Sequence, residues 1–151
     1  MTVLVVDDVS IMRIIIKEAL MQYCEVDKGD VYEAKSGEEA VIQYKTFKPD
    51  IVFLDITMEG MDGLSAIDAI KQHDPYAYII MCTSSGDKMT VRDCIVAGAK
   101  DYIVKPPKPD RVVKAVVDWM KTRPDADENV IRNMEELFAP TEPTKKDNQS
   151  D

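Results

Sequence analysis

Short apolar runs that end directly in charged residues constrain the fold of this chain more than any other feature. Three such runs are present: Val3–Val6 before Asp7 and Asp8, Ile51–Leu54 before Asp55, and Tyr102–Val104 before Lys105. Unbroken apolar runs of this length are typical of strands that are buried on both faces of a parallel sheet. The carboxyl ends of such strands open into the crevice where α/β sheets bind ligands. We therefore expect three carboxylates and one ammonium group to meet at one edge of a parallel sheet.

Strand-like and helix-like segments alternate along the chain. Two further runs, Val31–Ala34 and Tyr78–Cys82, read as strands, and the last strand is predicted over Asp101–Val104. Apolar residues recur at helical spacing between them. The predicted second helix, for example, has the apolar stripe Ala40, Val41, Tyr44 and Phe47. Five βα units with right-handed crossovers predict a doubly wound α/β fold with strand order 2-1-3-4-5, the flavodoxin-like arrangement, flanked by five helices.

Capping residues mark several of the predicted helix ends. Ser36 and Glu39 have the spacing of a capping box before the second helix. The polar residues 83–86 predict a loop before the fourth helix, and Gly98 stands where a left-handed C-terminal cap would end it. Pro109 is suited to the first turn of the fifth helix.

The composition changes in the last part of the chain. Residues 123–151 contain four basic and eight acidic residues, and they include one short amphipathic segment. The apolar face of that segment consists of Val130, Ile131, Met134, Leu137 and Phe138. We predict one domain over residues 1–122, an additional amphipathic helix within 123–139, and a disordered acidic and polar tail over 140–151. The apolar face of the helix either covers its own domain, which we favour, or contacts a partner.

Charge and cysteine content exclude several classes of function. The net charge is −9 and the 151 residues contain no basic cluster of the kind that nucleic acids or anionic membranes require, so proteins and small cations are the expected partners. No apolar segment approaches the length of a membrane span, and no charged leader precedes the first strand, which predicts a cytoplasmic protein. The odd number of cysteines, three without CxxC spacing, argues against a disulfide framework or a zinc site.

The predicted cluster of carboxylates favours a divalent cation. Asp7 and Asp8 follow one central strand and Asp55 follows its neighbour, so the three side chains are expected to share an ion. Magnesium prefers hard oxygen ligands and usually takes one or two carboxylates together with water and phosphate. A calcium cage would need more carboxylates and a twelve-residue loop, which the sequence lacks. Lys105 and Thr83 would add a fixed positive charge and a hydroxyl group at the ends of the outer strands.

This set of side chains fits phosphoryl transfer to a carboxylate. Asp55 is the better nucleophile because it stands alone at its strand end, whereas Asp7 and Asp8 form a pair suited to metal. The metal and Lys105 would neutralise charge on the transferred group. The ordinary alternative is that each acid starts a turn or caps a helix, which is common for single residues. It explains the combination with Lys105 and Thr83 poorly.

Four segments in this order, VLVVDD, LDITMEGMDG, MCTSSGD and AGAKDYIVKP, closely resemble the receiver domain of two-component response regulators, and the chemotaxis type in particular. The resemblance covers residues 1–122. It implies that Asp55 is phosphorylated from a histidine kinase and that Mg²⁺ is held by Asp7, Asp8, Asp55 and the main-chain carbonyl of Thr57. It further implies that Lys105 contacts the phosphoryl group. Such a protein catalyses the transfer of a phosphoryl group onto itself and the later loss of that group, but is otherwise not an enzyme.

The resemblance also implies a switch and a set of partners. Thr83 corresponds to the hydroxyl residue that moves onto a phosphoryl oxygen, and Tyr102 to the aromatic residue that rotates inward behind it. The expected docking surface is formed by the fourth helix, fifth strand and fifth helix. The flagellar motor switch is the expected output partner, with the kinase and a separate phosphatase as others. The family also implies a cis peptide bond between Lys105 and Pro106.

Two positions depart from the family pattern. Glu59 occupies a position that is usually proline, and Pro107 one that is usually aromatic or small. Glu59 places a carboxylate near the phosphorylation site, so metal affinity and phosphoryl lifetime stay open, and Glu59→Pro is expected to change the dephosphorylation half-life.

Two rival functions stand beside this one. A small phosphohydrolase of the haloacid dehalogenase type also uses a strand-end aspartate, a hydroxyl residue, a lysine and magnesium. That family requires Asp-x-Asp, whereas this chain has Asp7, Asp8 and Val9 and lacks the late acidic pair. The other rival is a receiver that acts unphosphorylated as a binding module, which the complete set of acidic and lysine residues disfavours.

Overall fold

The computed structural model describes residues 1–84 and 88–140. This part of the chain contains five strands, six α-helices and a short 3₁₀ turn before the second strand. In chain order the elements are β1 (Val3–Val6), α1 (Ser10–Tyr23), β2 (Val31–Ala34), α2 (Gly37–Phe47), β3 (Ile51–Asp55), α3 (Gly63–His73), β4 (Ile79–Thr83), α4 (Lys88–Ala97), β5 (Asp101–Val104), α5 (Pro109–Lys121) and α6 (Glu128–Glu136). None of the helices within the described ranges is long and apolar enough to cross a membrane.

The strands form one parallel sheet in the order β2-β1-β3-β4-β5, which confirms the predicted topology. Three strand ends differ from the prediction by one residue, namely the end of β3 and both ends of β4. Asp55 pairs with Cys82 and Thr83 pairs with Val104, so both residues belong to their strands rather than following them. Tyr78 lies just outside β4, although its carbonyl still accepts a hydrogen bond from the Val52 amide at 2.9 Å.

Side chains that alternate along the strands build two apolar layers, one on each face of the sheet. Val5 and Phe53 point into the layer under α1, α5 and α6, which we call the α1–α5 layer. Leu4 and Leu54 point into the layer under α2, α3 and α4. The central strands are therefore buried on both faces, as their unbroken apolar sequences predict.

The predicted helix caps are present. The Ser36 hydroxyl accepts a hydrogen bond from the Glu39 amide at 3.1 Å at the start of α2. Gly98 has φ +115°, and the amide that follows it, that of Ala99, returns to the Cys94 carbonyl at 2.9 Å to close α4. Pro109 occupies the first turn of α5.

The prediction for Phe47 is wrong. Phe47 is 46% exposed and is not part of the core, although it has the spacing of the apolar stripe of α2. Its ring stacks on Tyr32, with the centroids 4.1 Å apart. Because β2 is an edge strand, the last turn of α2 lies beside the sheet edge, where the ring covers a neighbouring aromatic residue.

The additional helix α6 packs on the α1–α5 layer. Ile131 and Met134 are buried in the same apolar cluster as Trp119 of α5, and the Asp127 carboxylate caps the helix by accepting from two amides. The amphipathic prediction is only partly right, because Leu137 is 52% exposed. Phe138, also exposed, contacts the Tyr23 ring edge-on, with the centroids 5.1 Å apart. Of the predicted disordered tail, 140–151, the residues from 141 onward lie outside the described residues, as do residues 85 and 86 of the predicted polar loop.

Candidate functional site

The strand register brings the charged strand ends together at the carboxyl edge of the sheet. Val6 pairs with Leu54, so Asp7 and Asp55, the residues that follow them, are neighbours at the ends of adjacent strands. Lys105 follows the edge strand β5, and its amide donates to the Thr83 carbonyl at 2.7 Å. The sequence prediction of a charged rim at this edge therefore describes the arrangement that the fold produces.

Lys105 contacts both buried carboxylates. Its Nζ atom lies 2.7 Å from Asp7 Oδ2 and 2.9 Å from Asp55 Oδ1. The two acid side chains are each 1% exposed, and the lysine side chain is 12% exposed. One ammonium group thus faces two carboxylates in a site that excludes most of the solvent. These three side chains together carry a net negative charge.

Asp8 completes the acidic group, although it is exposed. Carboxylate oxygens of Asp7, Asp8 and Asp55 all lie within 4.8 Å of one another. Thr57, the fourth residue expected around the metal, is exposed, and its amide donates to Asp55 Oδ1 at 3.1 Å. In the same way the Val9 amide donates to Asp7 Oδ1 at 2.9 Å. Each of these two short turns orients one carboxylate and leaves its second oxygen for another partner.

The residues at the rim fit a divalent cation. Asp55 Oδ2 is buried and accepts no hydrogen bond from any group in the described part of the chain. A buried carboxylate oxygen is costly without a partner, and each such atom calls for an explanation. Hard carboxylate oxygens at this spacing are the donors that Mg²⁺ prefers. The donor set and the unsatisfied oxygen therefore both agree with a magnesium ion at this edge.

Burial and charge shift the pKa values of the rim in definite directions. Burial raises the pKa of Asp55, and the Asp7 charge adds to this, while Lys105 and the Thr57 amide oppose it without cancelling it. Burial alone would lower the pKa of Lys105, but its contacts with Asp7 and Asp55 outweigh burial and leave this pKa above its ordinary value. The lysine is therefore fully charged at neutral pH, and a second cation near Asp55 would favour its ionised form.

The two predicted switch residues lie on the outer strands. Thr83 is buried at the end of β4, 3% exposed, and Tyr102 is half-buried on β5 in register with Met81. The Tyr102 ring packs against the layer under α2, α3 and α4. Its carbonyl accepts a hydrogen bond from the Arg111 guanidinium at 2.9 Å.

The Lys105–Pro106 bond is cis, as the resemblance implied. The two residues that depart from the family pattern, Pro107 and Glu59, lie in the loops after β5 and β3. Pro107 is buried. Glu59 is exposed in the loop after β3. The next residue, Gly60, has φ +80°, a conformation that suits glycine.

Sequence reasoning missed a buried arginine beneath the rim. Arg13 is 8% exposed, and its Nη1 atom donates to the Asp7 carbonyl oxygen at 2.7 Å. Its Nε atom donates to Glu33 Oε1 at 3.2 Å. The available signal was helical spacing, since Arg13 lies three residues before Ile16 and seven before Leu20 on the buried face of α1.

Comparison with known proteins agrees with these observations. The family model described as the response regulator receiver domain matches residues 3–117. The chemotaxis protein CheY of Bacillus subtilis is 49% identical over 115 residues, covering 76% of this chain and 92% of that protein. CheY of Thermotoga maritima is 47% identical over 114 residues, with the same two coverages.

Solved structures show the same fold. The CheX-CheY-BeF3-Mg complex from Borrelia burgdorferi contains a chain that matches with a TM-score of 0.69 and 35% identity, covering 78% of this chain and 87% of that one. The receiver domain of NtrX from Brucella abortus matches with a TM-score of 0.72 and 31% identity, covering 80% and 99%. These matches do not favour the haloacid dehalogenase alternative.

Proposed function

Because this chain belongs to the response regulator receiver domain family, we propose that it is a phosphorylation-activated signalling switch in which Asp55 accepts a phosphoryl group from a histidine kinase in the presence of Mg²⁺. One observation carries the proposal. Lys105 contacts both Asp7 and Asp55 at the carboxyl edge of the sheet, while Asp55 Oδ2 is buried there without a hydrogen-bond partner among the described residues.

Asp7, Asp8, Asp55 and the main-chain carbonyl of Thr57 are the groups that would hold the metal. When bound, Mg²⁺ supplies positive charge that neutralises the oxygens of the transferred group. Asp55 is the proposed nucleophile: its Oδ1 accepts from the Thr57 amide and contacts Lys105, and its Oδ2 is buried without a hydrogen-bond partner among the described residues. Its bond to phosphorus forms as the bond between phosphorus and the kinase histidine nitrogen breaks, and the histidine leaves with that electron pair.

Lys105 supplies the fixed charge for this transfer. Its ammonium group lies between two carboxylates before phosphorylation, and a phosphoryl group on Asp55 brings new anionic oxygens within reach of the same atom. The Thr83 hydroxyl, at the end of the next strand, is the group that we propose donates to a second phosphoryl oxygen. A shift of Thr83 would change the packing near Tyr102 on β5 and so bias the outer surface between two arrangements.

The surface formed by α4, β5 and α5 is the proposed output face. It carries exposed apolar side chains, among them Ile95 and Val104, which are 46% and 44% exposed. The similarity to CheY proteins supports a chemotaxis partner, and we propose the flagellar motor switch, with the kinase and a separate phosphatase acting on the same cytoplasmic protein. The Borrelia burgdorferi complex, which contains CheX together with CheY, supports a protein partner for this chain.

The decisive experiment is phosphorylation with acetyl phosphate and Mg²⁺, read by intact mass. The wild-type chain should gain one phosphoryl group, and Asp55→Asn or removal of Mg²⁺ with EDTA should abolish the gain. Asp50→Asn is a matched control, because Asp50 precedes the other end of the same strand and binds Thr2. Labelling of the Asp55→Asn chain would overturn the assignment of the nucleophile.

Two further measurements separate the finer claims. Turnover of p-nitrophenyl phosphate would favour the phosphohydrolase alternative over a stoichiometric switch. The motor assignment predicts that the phosphorylated chain binds a motor switch protein more tightly than the Asp55→Asn chain. Equal binding of both would remove the motor partner from the proposal and leave the phosphorylation chemistry intact.

A further inference from the structure

The buried guanidinium of Arg13 joins the start of α1 to the ends of two strands. It donates to the Asp7 carbonyl oxygen, directly after β1, and to the Glu33 carboxylate on β2. A charged side chain is buried only where partners replace its water, and a guanidinium with separate donors can serve two partners at once. The position of Arg13 is thus fixed by two strands and by its own helix.

The Asp7 carbonyl belongs to the peptide group that links Asp7 to Asp8, the paired acids of the proposed metal site. The Asp7 amide on the other side of the residue donates to the Ala34 carbonyl at 3.1 Å. Strand β2 therefore holds the amide of Asp7, and Arg13 holds its carbonyl. Rotation of that peptide would move the Asp8 side chain, so the contact with Arg13 fixes the direction in which Asp8 leaves the strand.

The start of α1 needs such support because it has no side-chain cap. Val9 occupies the N-cap position and has no side-chain oxygen for the free amides of the first turn, whereas Ser, Thr, Asp or Asn usually provides one. The turn from Asp7 to Ser10 is held instead by the Val9 amide on Asp7 Oδ1 and by Arg13 on the Asp7 carbonyl. Arg13 lies one helical turn beyond the cap position, where its side chain reaches back towards β1.

The charge of Arg13 and its neighbours is a second way in which it supports the turn that carries Asp7 and Asp8. Glu33 accepts from Arg13 and lies 3.4 Å from Lys17 Nζ, so these three side chains carry a net charge of +1 beneath the acidic rim. Positive charge on that side lowers the cost of placing Asp7 and Asp8 together.

We propose that Arg13 is a positioning residue for the metal-binding turn, holding the Asp7–Asp8 peptide so that both carboxylates face Asp55. It touches no reacting atom. This inference rests on the proposed function, because it concerns the same metal site.

The test is the affinity for Mg²⁺ alone, measured by calorimetry on the full unphosphorylated chain. The unfolding midpoint of each variant is measured separately in EDTA, so that a loss of stability is distinguished from a loss of affinity. Arg13→Met should weaken Mg²⁺ binding by about tenfold or more, the usual effect of losing a group that orients a metal ligand. Arg13→Lys keeps the charge but loses the two-pronged contact, and should give an intermediate affinity. Lys17→Met is the matched control, because it removes one positive charge beside Glu33 and keeps the contact between Arg13 and Asp7, and it should lower the affinity by less than either Arg13 variant does.

The possible failures are distinct. If Arg13→Met and Arg13→Lys lowered the unfolding midpoint but bound Mg²⁺ as tightly as the wild type, the positioning role would be overturned and Arg13 would be a structural residue only. If Arg13→Met did not fold, Arg13→Lys would decide alone, and wild-type affinity in it would overturn the role. A wild-type chain that bound no Mg²⁺ would instead overturn the proposed metal site.

Discussion

The charged rim and the surface under α6 are both buried, but they are built from opposite kinds of side chain. The rim encloses Asp7, Asp55 and Lys105, a set that retains a negative charge away from solvent. The surface under α6 encloses Ile131 and Met134 in an apolar cluster. Burying apolar area stabilises a fold, whereas burying unbalanced charge destabilises it. Substitutions in the two regions should therefore separate stability from phosphorylation.

The largest expected change in stability lies under α6. Met134→Ala removes a side chain that is 5% exposed, and we expect a loss of about 2–4 kcal/mol in unfolding free energy from lost burial and the cavity left behind. Phosphorylation of Asp55 by acetyl phosphate should not change, because Met134 belongs to the apolar region and not to the rim. Urea unfolding and intact mass measure the two effects.

Leu137→Ala is the control for this prediction. Leu137 is 52% exposed at the end of the same helix, so its truncation should change the unfolding free energy by no more than about 0.5 kcal/mol. Equal losses in both variants would mean that α6 is not held by the buried face described above.

The next largest change in unfolding free energy is expected at the rim, where a substitution should stabilise the fold rather than destabilise it. Asp55→Asn should raise the unfolding free energy at neutral pH in EDTA by an amount on the order of 1 kcal/mol, because it removes a buried charge beside Asp7. The folded-state pKa of Asp55 is raised, so its ionised form opposes folding. This penalty is absent below the unfolded pKa of about 4 and develops as pH rises through the folded pKa.

Urea unfolding as a function of pH tests this sign. The advantage of Asp55→Asn over the wild type should disappear below about pH 4, where the wild-type side chain is protonated in both states. Asp8→Asn, at an exposed position, is the control and should give a smaller gain. A lower stability of Asp55→Asn at neutral pH would break the comparison, since the rim would then contribute to folding.

At Asp74, which follows α3, ionisation of the carboxyl group should stabilise the fold, the reverse of the effect expected at Asp55. The Tyr44 hydroxyl donates to Asp74 Oδ2 at 2.8 Å and lowers the pKa of Asp74. Tyr44→Phe should therefore cost about 1 kcal/mol at neutral pH. The stability contributed by a depressed carboxyl pKa is present above the unfolded pKa, about 4, and is lost as pH falls through the folded pKa.

The difference between wild type and Tyr44→Phe should accordingly shrink in acid, as followed by thermal unfolding at several pH values. Tyr76→Phe is a close control, because Tyr76 is 92% exposed and contacts Asp74 through its main-chain amide, which the substitution keeps. A difference that stayed constant down to acid pH would mean that the Tyr44 hydroxyl contributes to stability independently of the ionisation of Asp74.

The smallest effect is expected at the surface of α6. The exposed Lys121 side chain pairs with Glu135, but solvent screens such pairs and they contribute little. Lys121→Met should leave the urea midpoint unchanged within error, with Met134→Ala as the reference for a contact that matters. A loss comparable to that reference would show that charge, rather than apolar burial, attaches the helix.

The sequence was sufficient to predict the topology and the rim for a simple reason. Apolar runs define buried parallel strands, and any residue that directly follows such a run lies at the same edge of the sheet as its counterparts, as Asp7 and Asp55 do. The roles that the resemblance assigns to Thr83 and Tyr102 stay predictions.

Other features depend on contacts between distant segments and were not predictable from local patterns. Arg13 reads as a solvated charge until the positions of β1 and β2 supply its two partners. Phe47 has the correct periodicity for a core residue, but periodicity does not reveal that the neighbouring strand is an edge strand. Leu137 likewise lies past the area that α6 covers.

The chain contains a single tryptophan, Trp119, which is 9% exposed and shares the apolar cluster of Ile131 and Met134. The Arg123 guanidinium lies over its ring, 4.9 Å from the centroid. Tryptophan fluorescence from this protein therefore reports on the packing of α6. A fluorescence assay of phosphorylation would require a dye or a second tryptophan near the opposite end of the sheet.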